Sequence, residues 1–184
     1  FTKSALNGVD AQNVMHGKNQ FIVKGQFSRE DQNAEVICSY AIGSKKFIRE
    51  DGNDAKRLSD HIGRYPIVLV APNDIELVWG GSELRRKFFD SLIAQLDKSY
   101  LEHLIIYTNQ LKQRNSLLRL SAERGLDREL LDTYDEKIIQ SGNYIHQKRA
   151  EFINSFLPLF ESHYAFLSGD AEEVVDIQYK SDCT

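Results

Sequence analysis

The first part of the chain alternates apolar and polar residues in short runs, which is the pattern of half-buried β-strands. Residues 20–27 and 34–42 form two such runs, and the polar segment 28–33 between them suits a hairpin loop. A third short strand is predicted at 45–49, and the turn-forming residues 51–54 end it. Three consecutive strands with short connections predict an antiparallel meander.

The continuous apolar run Pro66–Val70 predicts a fourth strand, one that is buried rather than half-exposed. A short helix at 56–62 is predicted before it. After it, Gly80-Gly81 leaves the backbone free to turn, and Ser82 is placed to cap a helix with Glu83 in its first turn. A strand that leads into a helix through glycines can bind phosphate, but a plain strand-to-helix connection has the same pattern.

From Ser82 onward, apolar residues recur every three or four positions, which predicts amphipathic helices. The first stripe comprises Leu101, Leu104, Ile105, Leu111 and Leu118. Gly125 interrupts the pattern in the position of a helix C-terminus. The second stripe, from near Asp127, comprises Leu131, Tyr134, Ile138, Gly142, Ile145, Arg149, Phe152, Phe156 and Phe160. Two long helices with a short break predict an antiparallel hairpin, in which Gly142 allows close approach or marks a bend, and Pro158 kinks or ends the second helix.

The tail at 174–179 alternates again like a strand. The predicted fold class is therefore α+β: an antiparallel β-rich lobe, a long antiparallel helical hairpin, and a chain that returns to a strand. The corresponding division is 1–81 for the β-rich part, 82–168 for the helical arm and 169–184 for the returning strand.

Composition adds limits rather than a function. The hydrophobic fraction of 41%, the charged fraction of 27% and the net charge of −4 are ordinary for a globular protein and disfavour a wholly electrostatic nucleic-acid binder. No apolar run reaches the roughly 18 to 20 residues that a bilayer crossing needs. The sequence begins at Phe1 without Met, which suggests a fragment. Cys38 and Cys183 are too far apart for a disulfide framework or a zinc motif, so a reducing cytoplasm is expected.

One motif around the glycine pair resembles the RecF family of bacterial DNA replication and recombination-repair proteins, which are SMC-like, ABC-type ATPases. The residues that carry the resemblance are Pro72, Asn73, Leu77-Val78, Gly80-Gly81-Ser82, Arg85-Arg86, Phe88-Phe89 and Asp90. Further blocks follow in the family's order: Tyr100-Leu101, 111–118, Tyr134-Asp135-Glu136, Gly142, 149–153 and 178–181. Two positions depart from the pattern, because Asn73 replaces an acid and Ser82 replaces a proline.

The resemblance implies that the intact protein binds ATP and Mg²⁺ and is a weak DNA-dependent ATPase. This chain has no G-x-x-x-x-G-K-[ST] phosphate loop. In the family that loop lies just before a segment like Thr2-Lys3-Ser4, and the signature loop and acidic Mg²⁺ site follow the position of Thr184. We therefore expect no catalytic residue, no metal site, no bound cofactor and no ATP hydrolysis in this chain alone.

Five cations are candidates for DNA contact: Arg85, Arg86, Lys112, Arg114 and Arg119. The first two can equally tie the helix to strand carboxylates, and the other three fit a solvated helix face. Asn73 and Asp74 are candidates for sensing the nucleotide, by analogy with ABC-type ATPases, although an Asx turn at a strand end explains them as well.

Three hypotheses follow. In the first, the chain is the arm-bearing part of a RecF-type protein that engages double-stranded and single-stranded DNA and helps to load recombinase at gaps, in recombinational repair and the SOS response. In the second, the arm is a docking module for the partner RecR without direct DNA contact. In the third, the arm only braces the ATPase. The fragment is expected to be a monomer and the intact protein an ATP-dependent dimer.

Overall fold

A computed structural model describes residues 8–29, 32–169 and 173–181 of the chain. The chain divides into two compact units, residues 1–75 and residues 76–184. This division places residues 76–81 in the helical unit. The boundaries predicted from the sequence, at residue 81 between the β-rich part and the arm and at residue 168 between the arm and the returning strand, remain predictions. The segments at Thr2-Lys3-Ser4 and Cys183 lie outside the described residues.

The first unit contains a four-stranded antiparallel sheet in the order β1-β2-β3-β4. The strands are β1 (Gln20–Arg29), β2 (Gln32–Ala41), β3 (Phe47–Glu50) and β4 (Asn53–Asp54). Cys38 lies opposite Val23 on one side and Ile48 on the other. The predicted meander is confirmed, and the turn expected at 51–54 includes a short fourth strand.

Glu50, at the end of β3, holds the following loop in place. Its carboxylate accepts hydrogen bonds from the Tyr65 hydroxyl at 2.7 Å and from Arg64 Nη1 at 2.6 Å. Desolvation, with the hydrogen bond to Glu50, raises the pKa of Tyr65 to about 12. The helix predicted at 56–62 is a single 3₁₀ turn, Leu58–His61.

The prediction of a fourth strand at Pro66–Val70 is wrong, because these residues form no strand in the structure. No described strand pairs with this segment, and Val68 and Val70 are 87% and 85% exposed. A strand needs a neighbouring strand for its backbone groups, and the described sheet β1-β2-β3-β4 does not include this run. The segment leads into the 3₁₀ turn Pro72–Ile75 rather than directly into the predicted long helix.

The second unit is helical. Its helices are α1 (Glu76–Trp79), α2 (Ser82–Leu96), α3 (Lys98–Arg124) and α4 (Arg128–Ser168). α3 and α4 form the predicted antiparallel hairpin, and Gly125 occupies the C-terminal cap of α3 as expected. The prediction that Ser82 caps α2 is wrong, because Gly81 holds the cap position and Ser82 is the first helical residue.

The last helix differs from the prediction at its C-terminal end. α4 runs for 41 residues and passes through Pro158 to a left-handed cap at Gly169, with φ of 71°. Pro158 therefore does not end the helix. The predicted returning strand is also wrong within 173–181, where the chain forms no strand; Tyr179 packs on the ring of His146 instead, with centroids 5.4 Å apart. The α+β class is confirmed.

A cluster of three polar side chains joins the three long helices. Arg149 of α4 donates from Nε and Nη2 to the two carboxylate oxygens of Asp90 on α2, both at 2.8 Å. The hydroxyl of Tyr100 on α3 donates to Asp90 Oδ1 at 2.5 Å, and Tyr100 is completely buried. Burial, with the hydrogen bond to Asp90, raises the pKa of Tyr100. Burial alone lowers the pKa of Arg149, but hydrogen bonds to Asp90 and its charge hold that pKa above its ordinary value.

Two glycines lie at contacts between helices. A Cβ at Gly142 of α4 would lie 3.5 Å from the Tyr107 ring of α3, in ordinary contact, so the predicted role of Gly142 in a close approach or a bend stays a prediction. At Gly80, between α1 and α2, a Cβ would lie only 2.5 Å from the Glu76 carbonyl oxygen and 2.6 Å from Leu84 Cδ1. The α1–α2 corner therefore has room for glycine alone.

Replacing Arg149 tests the three-helix cluster. Arg149→Met removes the bidentate partner of Asp90, whose side chain is only 14% exposed, and leaves its charge without a cation. We expect the free energy of unfolding to fall by about 3 kcal/mol in urea denaturation. The control is Lys87→Met, which breaks the exposed pair with Glu83 and should cause no measurable change. Equal effects of the two substitutions would contradict the assignment.

The α1–α2 corner is tested by paired glycine substitutions. Gly80→Ala forces its Cβ against a backbone carbonyl and should destabilise the protein by about 1–3 kcal/mol. Gly81→Ala, where nothing lies within 4 Å, should cost less than about 1 kcal/mol. Thermal unfolding of both variants gives the comparison; if Gly80→Ala melts no lower than Gly81→Ala, the corner is not constrained.

Candidate nucleic-acid interface

Arg85 supports the corner between α1 and α2. Its Nη1 donates to the carbonyl oxygens of Leu77 at 3.0 Å and Gly80 at 2.8 Å. A cation is favourable at the C-terminus of a helix, where carbonyl groups lack helical partners. The alternative that Arg85 ties the helix to strand carboxylates is wrong, because its described partners are these backbone carbonyls at the α1–α2 corner.

The next two residues carry charge on the exposed part of α2. Arg86 Nη1 donates to the neutral hydroxyl of Ser82 at 2.8 Å. Lys87 pairs with Glu83 at 2.7 Å, and this hydrogen bond lowers the pKa of Glu83. Arg86 also lowers the pKa of Glu83 through its charge, but the hydrogen bond described for Arg86 is to the neutral Ser82 hydroxyl.

Arg86 and Lys87 lie on a groove of about 540 Å³ that belongs entirely to the helical unit. Residues of α2, α3, α4 and the segment 173–181 line it. Its apolar lining is formed by Leu104, Tyr107, Leu111, Ile138, Ile139 and Ile145. At the polar side, His146 Nδ1 lies 3.3 Å from the Tyr179 hydroxyl. The groove therefore combines an apolar lining with an α2 side that carries the cations Arg86 and Lys87 beside the carboxylates Glu83 and Asp90.

The three cations predicted on α3 have different environments. Arg114 bridges the hairpin through an ion pair with Asp135 of α4, which raises the pKa of Arg114. Arg119 donates from Nε to the carbonyl oxygen of Asn115 on its own helix, at 3.2 Å. Lys112 is exposed and has no ion-pair partner in the part of the chain that the structure describes. Lys112 and Arg119 are thus more accessible to a ligand than Arg114.

The two candidates for nucleotide sensing lie in the 3₁₀ turn of the first unit. Asp74 Oδ2 accepts from the Ala71 N–H at 2.7 Å, and the Asp74 N–H donates to the Ala71 carbonyl at 2.9 Å. This reciprocal pair closes the turn. It differs from the Asx turn at a strand end that was the alternative interpretation, because no strand precedes it and the carboxylate accepts from an N–H three residues earlier. Asn73 is exposed beside it. A role of either residue in sensing nucleotide remains a prediction.

Sequence reasoning considered Lys87 beside Arg85 and Arg86 for phosphate contact, but it assigned no role to His146 or Arg149. The spacing of four between Glu83 and Lys87 was a usable signal for their pair. No local pattern links His146 to Tyr179 or Arg149 to Asp90, because these partners are far apart in the chain. Across residues 8–29, 32–169 and 173–181, no three His, Cys, Asp or Glu side chains converge as a metal site, and no helix is both long and apolar enough to traverse a bilayer.

Comparison with known proteins identifies relatives along nearly the whole chain. The chain is 38% identical over 182 residues to the DNA replication and repair protein RecF of Flavobacterium johnsoniae, covering 98% of this chain and 50% of that protein. It is 42% identical over 175 residues to RecF of Bacteroides thetaiotaomicron, covering 95% of this chain and 47% of the relative. No family model matches the sequence.

Solved structures agree with these relatives. The recombination mediator protein RecF of the RecFOR pathway, solved with ATPγS, matches with a TM-score of 0.83 and 27% identity over 91% of this chain and 45% of the other. RecF solved with ATP matches with a TM-score of 0.84 and 28% identity, over 90% of this chain and 45% of the other. This chain belongs to the RecF family, and it spans about half the length of the RecF proteins it matches.

Proposed function

We propose that this chain is the helical-arm part of a RecF-type protein that acts in DNA replication and repair. In the intact protein it contributes to ATP-regulated binding of double-stranded and single-stranded DNA. It also contributes to recombinase loading at gaps in the SOS response. The relatives named for replication and repair, and the RecF structures solved with ATP and ATPγS, support this proposal. The site of action is the cytoplasm.

Nucleotide chemistry belongs to parts outside this chain. The sequence lacks the phosphate loop whose backbone amides and lysine hold the β- and γ-phosphates. ATP and Mg²⁺ therefore bind the intact protein, a weak DNA-dependent ATPase that dimerises with ATP, whereas this chain alone is a monomer without ATPase activity. The contribution of the helical unit is contact and positioning.

The observation that carries the DNA proposal is the exposed charge of Arg86 at the groove. The hydrogen bond described for its guanidinium is to a neutral hydroxyl, and the nearby Glu83 carboxylate is hydrogen-bonded to Lys87, so phosphate can bind Arg86 without displacing a carboxylate from it. Lys112 and Arg119 supply further exposed cations on α3. With a net charge of −4 for the chain, DNA contact has to be local to such cations. We assign Arg85 and Arg114 supporting roles, because their known partners are backbone carbonyls and Asp135.

The salt dependence of DNA binding tests this assignment. In the intact protein, Arg86→Ala and Lys112→Ala should each weaken duplex binding about fivefold to tenfold and reduce the slope of log K against log salt by about 0.9, the value for one lost phosphate contact. Fluorescence anisotropy across a salt series gives both quantities. The charge-matched control is Lys45→Ala, an exposed lysine of the first unit, which should leave the slope unchanged.

Arg85→Ala separates support from contact, since it lies next to Arg86 and removes the same charge. It should lower the melting temperature while the salt slope stays close to that of the unmodified protein. Unchanged slopes for Arg86→Ala and Lys112→Ala would refute direct DNA contact by these two residues.

The second candidate function is a protein-docking module for RecR, without direct DNA contact. The observation that favours it is a set of partly exposed leucines near the α3–α4 connection. These are Leu118, Leu120, Leu126 and Leu130, with exposed fractions of 37%, 47%, 42% and 38%. Apolar side chains clustered at an exposed helix end are typical of a protein-binding surface.

Docking predicts a result opposite to DNA contact. In the intact protein, Leu126→Glu should reduce RecR capture about tenfold or more, since a charge replaces an apolar contact, and leave the DNA salt slope unchanged. Leu96→Glu is the control, because Leu96 is 72% exposed at the other end of the hairpin. RecR capture measured by pull-down and by interferometry decides the matter; equal capture by both variants would exclude docking at the connection.

A further inference from the structure

Trp79 holds a large aromatic surface in solvent at the corner between α1 and α2. It is the single tryptophan of the chain, and 81% of it is exposed. Val78 beside it is 73% exposed. Tryptophan is on average highly buried in folded proteins, so an indole as open as this one is unusual. Most of the indole surface is therefore open to stacking with another planar group.

The backbone that carries the indole is fixed on both sides of Trp79. Arg85 Nη1 donates to the carbonyl oxygens of Leu77 and Gly80, which lie on either side of residues 78–79. The Gly80 N–H donates to the Glu76 carbonyl oxygen at 2.7 Å. A contact group whose backbone is already ordered loses less conformational freedom when it binds a ligand. The corner therefore presents the indole on a rigid support.

The charge around the indole is locally positive, although the chain as a whole is negative. Residues 76–87 contain the three cations Arg85, Arg86 and Lys87 against the two carboxylates Glu76 and Glu83. Lys87 and Glu83 pair with each other at 2.7 Å, and the hydrogen bond described for Arg86 is to a neutral hydroxyl. An open aromatic ring beside exposed cations is the combination with which proteins bind single-stranded nucleic acid, because the ring stacks on a base while the cations hold phosphates.

We propose that Trp79 is a stacking platform for an unpaired base of single-stranded DNA, whose phosphates Arg86 holds. In a duplex the faces of the bases are occupied by their neighbours, so only an unpaired strand offers a free face to the indole. Every base has such a face, and binding is therefore independent of base sequence. This inference rests on the proposed function and adds the part of the nucleotide that the corner contacts.

The fluorescence of Trp79 in the intact protein reports the stacking directly. The difference between the emission of the unmodified protein and that of Trp79→Phe isolates this indole from any tryptophan elsewhere in the polypeptide. A saturating thymidine oligonucleotide should quench the difference emission, whereas an abasic oligonucleotide of the same length, with the same phosphates, should not. Saturation by the thymidine oligonucleotide without quenching would overturn the proposal. Shielding of Trp79 from acrylamide before DNA is added would also overturn it, since another polypeptide segment would then cover the ring.

Affinity measurements separate this inference from the proposed function. Trp79→Ala should weaken binding of the thymidine oligonucleotide about tenfold, the loss of one stacked base. Its affinity for the abasic oligonucleotide, its salt slope and its melting temperature should stay unchanged, because no phosphate contact or buried packing is lost.

The matched control is Phe166→Ala, which should change neither affinity. Phe166 is 83% exposed, but the last turn of α4 has no basic residue. If Trp79→Ala binds the thymidine oligonucleotide as tightly as the unmodified protein while Arg86→Ala reduces the salt slope, the stacking inference is refuted and the proposed function stands. If the intact protein binds no DNA, both are refuted.

Discussion

The helical unit depends on the largely buried ion pair between Arg149 and Asp90 and on the Tyr100 hydroxyl that also binds Asp90. Asp90, Tyr100 and Arg149 lie on three different helices, and their hydrogen bonds meet at a single carboxylate. Asp90 is displaced from water, so its charge is tolerated only while the guanidinium stays in place. This requirement fixes the rotation of α2 and α4 about their axes, and with it the side of α2 on which Arg86 and Lys87 lie. The groove is therefore a consequence of the cluster.

Local patterns allowed the helices and the meander to be predicted. The apolar stripes with steps of three and four predicted α3 and α4 as helices, although Ile105 and Leu118 of the first stripe are 40% and 37% exposed. The polar segments between 20 and 54 predicted the hairpins. The break at Gly125 was equally local. Two local predictions failed. Gly81, rather than Ser82, caps α2, and it does so without a side-chain hydrogen bond. Pro158 lies exposed within α4, and the rings of Phe156 and Phe160 stack on each other across its position in the chain.

The two predicted strands that do not form share a different cause. The runs at 66–70 and 174–179 have suitable residues, but β-structure requires a partner that propensity cannot provide. The candidate site has the same limit. Arg85 and Arg86 are indistinguishable in the sequence, yet one binds carbonyl groups and the other faces the groove. The corner at Gly80 separates their roles, because its carbonyl accepts from Arg85, five residues further along the chain.

The distribution of cations among partners determines how any loss of function should be interpreted. Arg149, Arg114 and Arg85 each neutralise a carboxylate or a helix end, so their removal destabilises the fold before it affects a ligand. Arg86 and Lys112 donate no hydrogen bond to a carboxylate or a helix end within the described residues. Their removal therefore changes mainly the electrostatic potential at the surface of the helices. A defect in DNA binding at the first group is thus explained by folding alone. A defect at the second group, without a change in melting temperature, indicates a phosphate in contact with the side chain, because the only described hydrogen bond lost is the exposed one from Arg86 to Ser82.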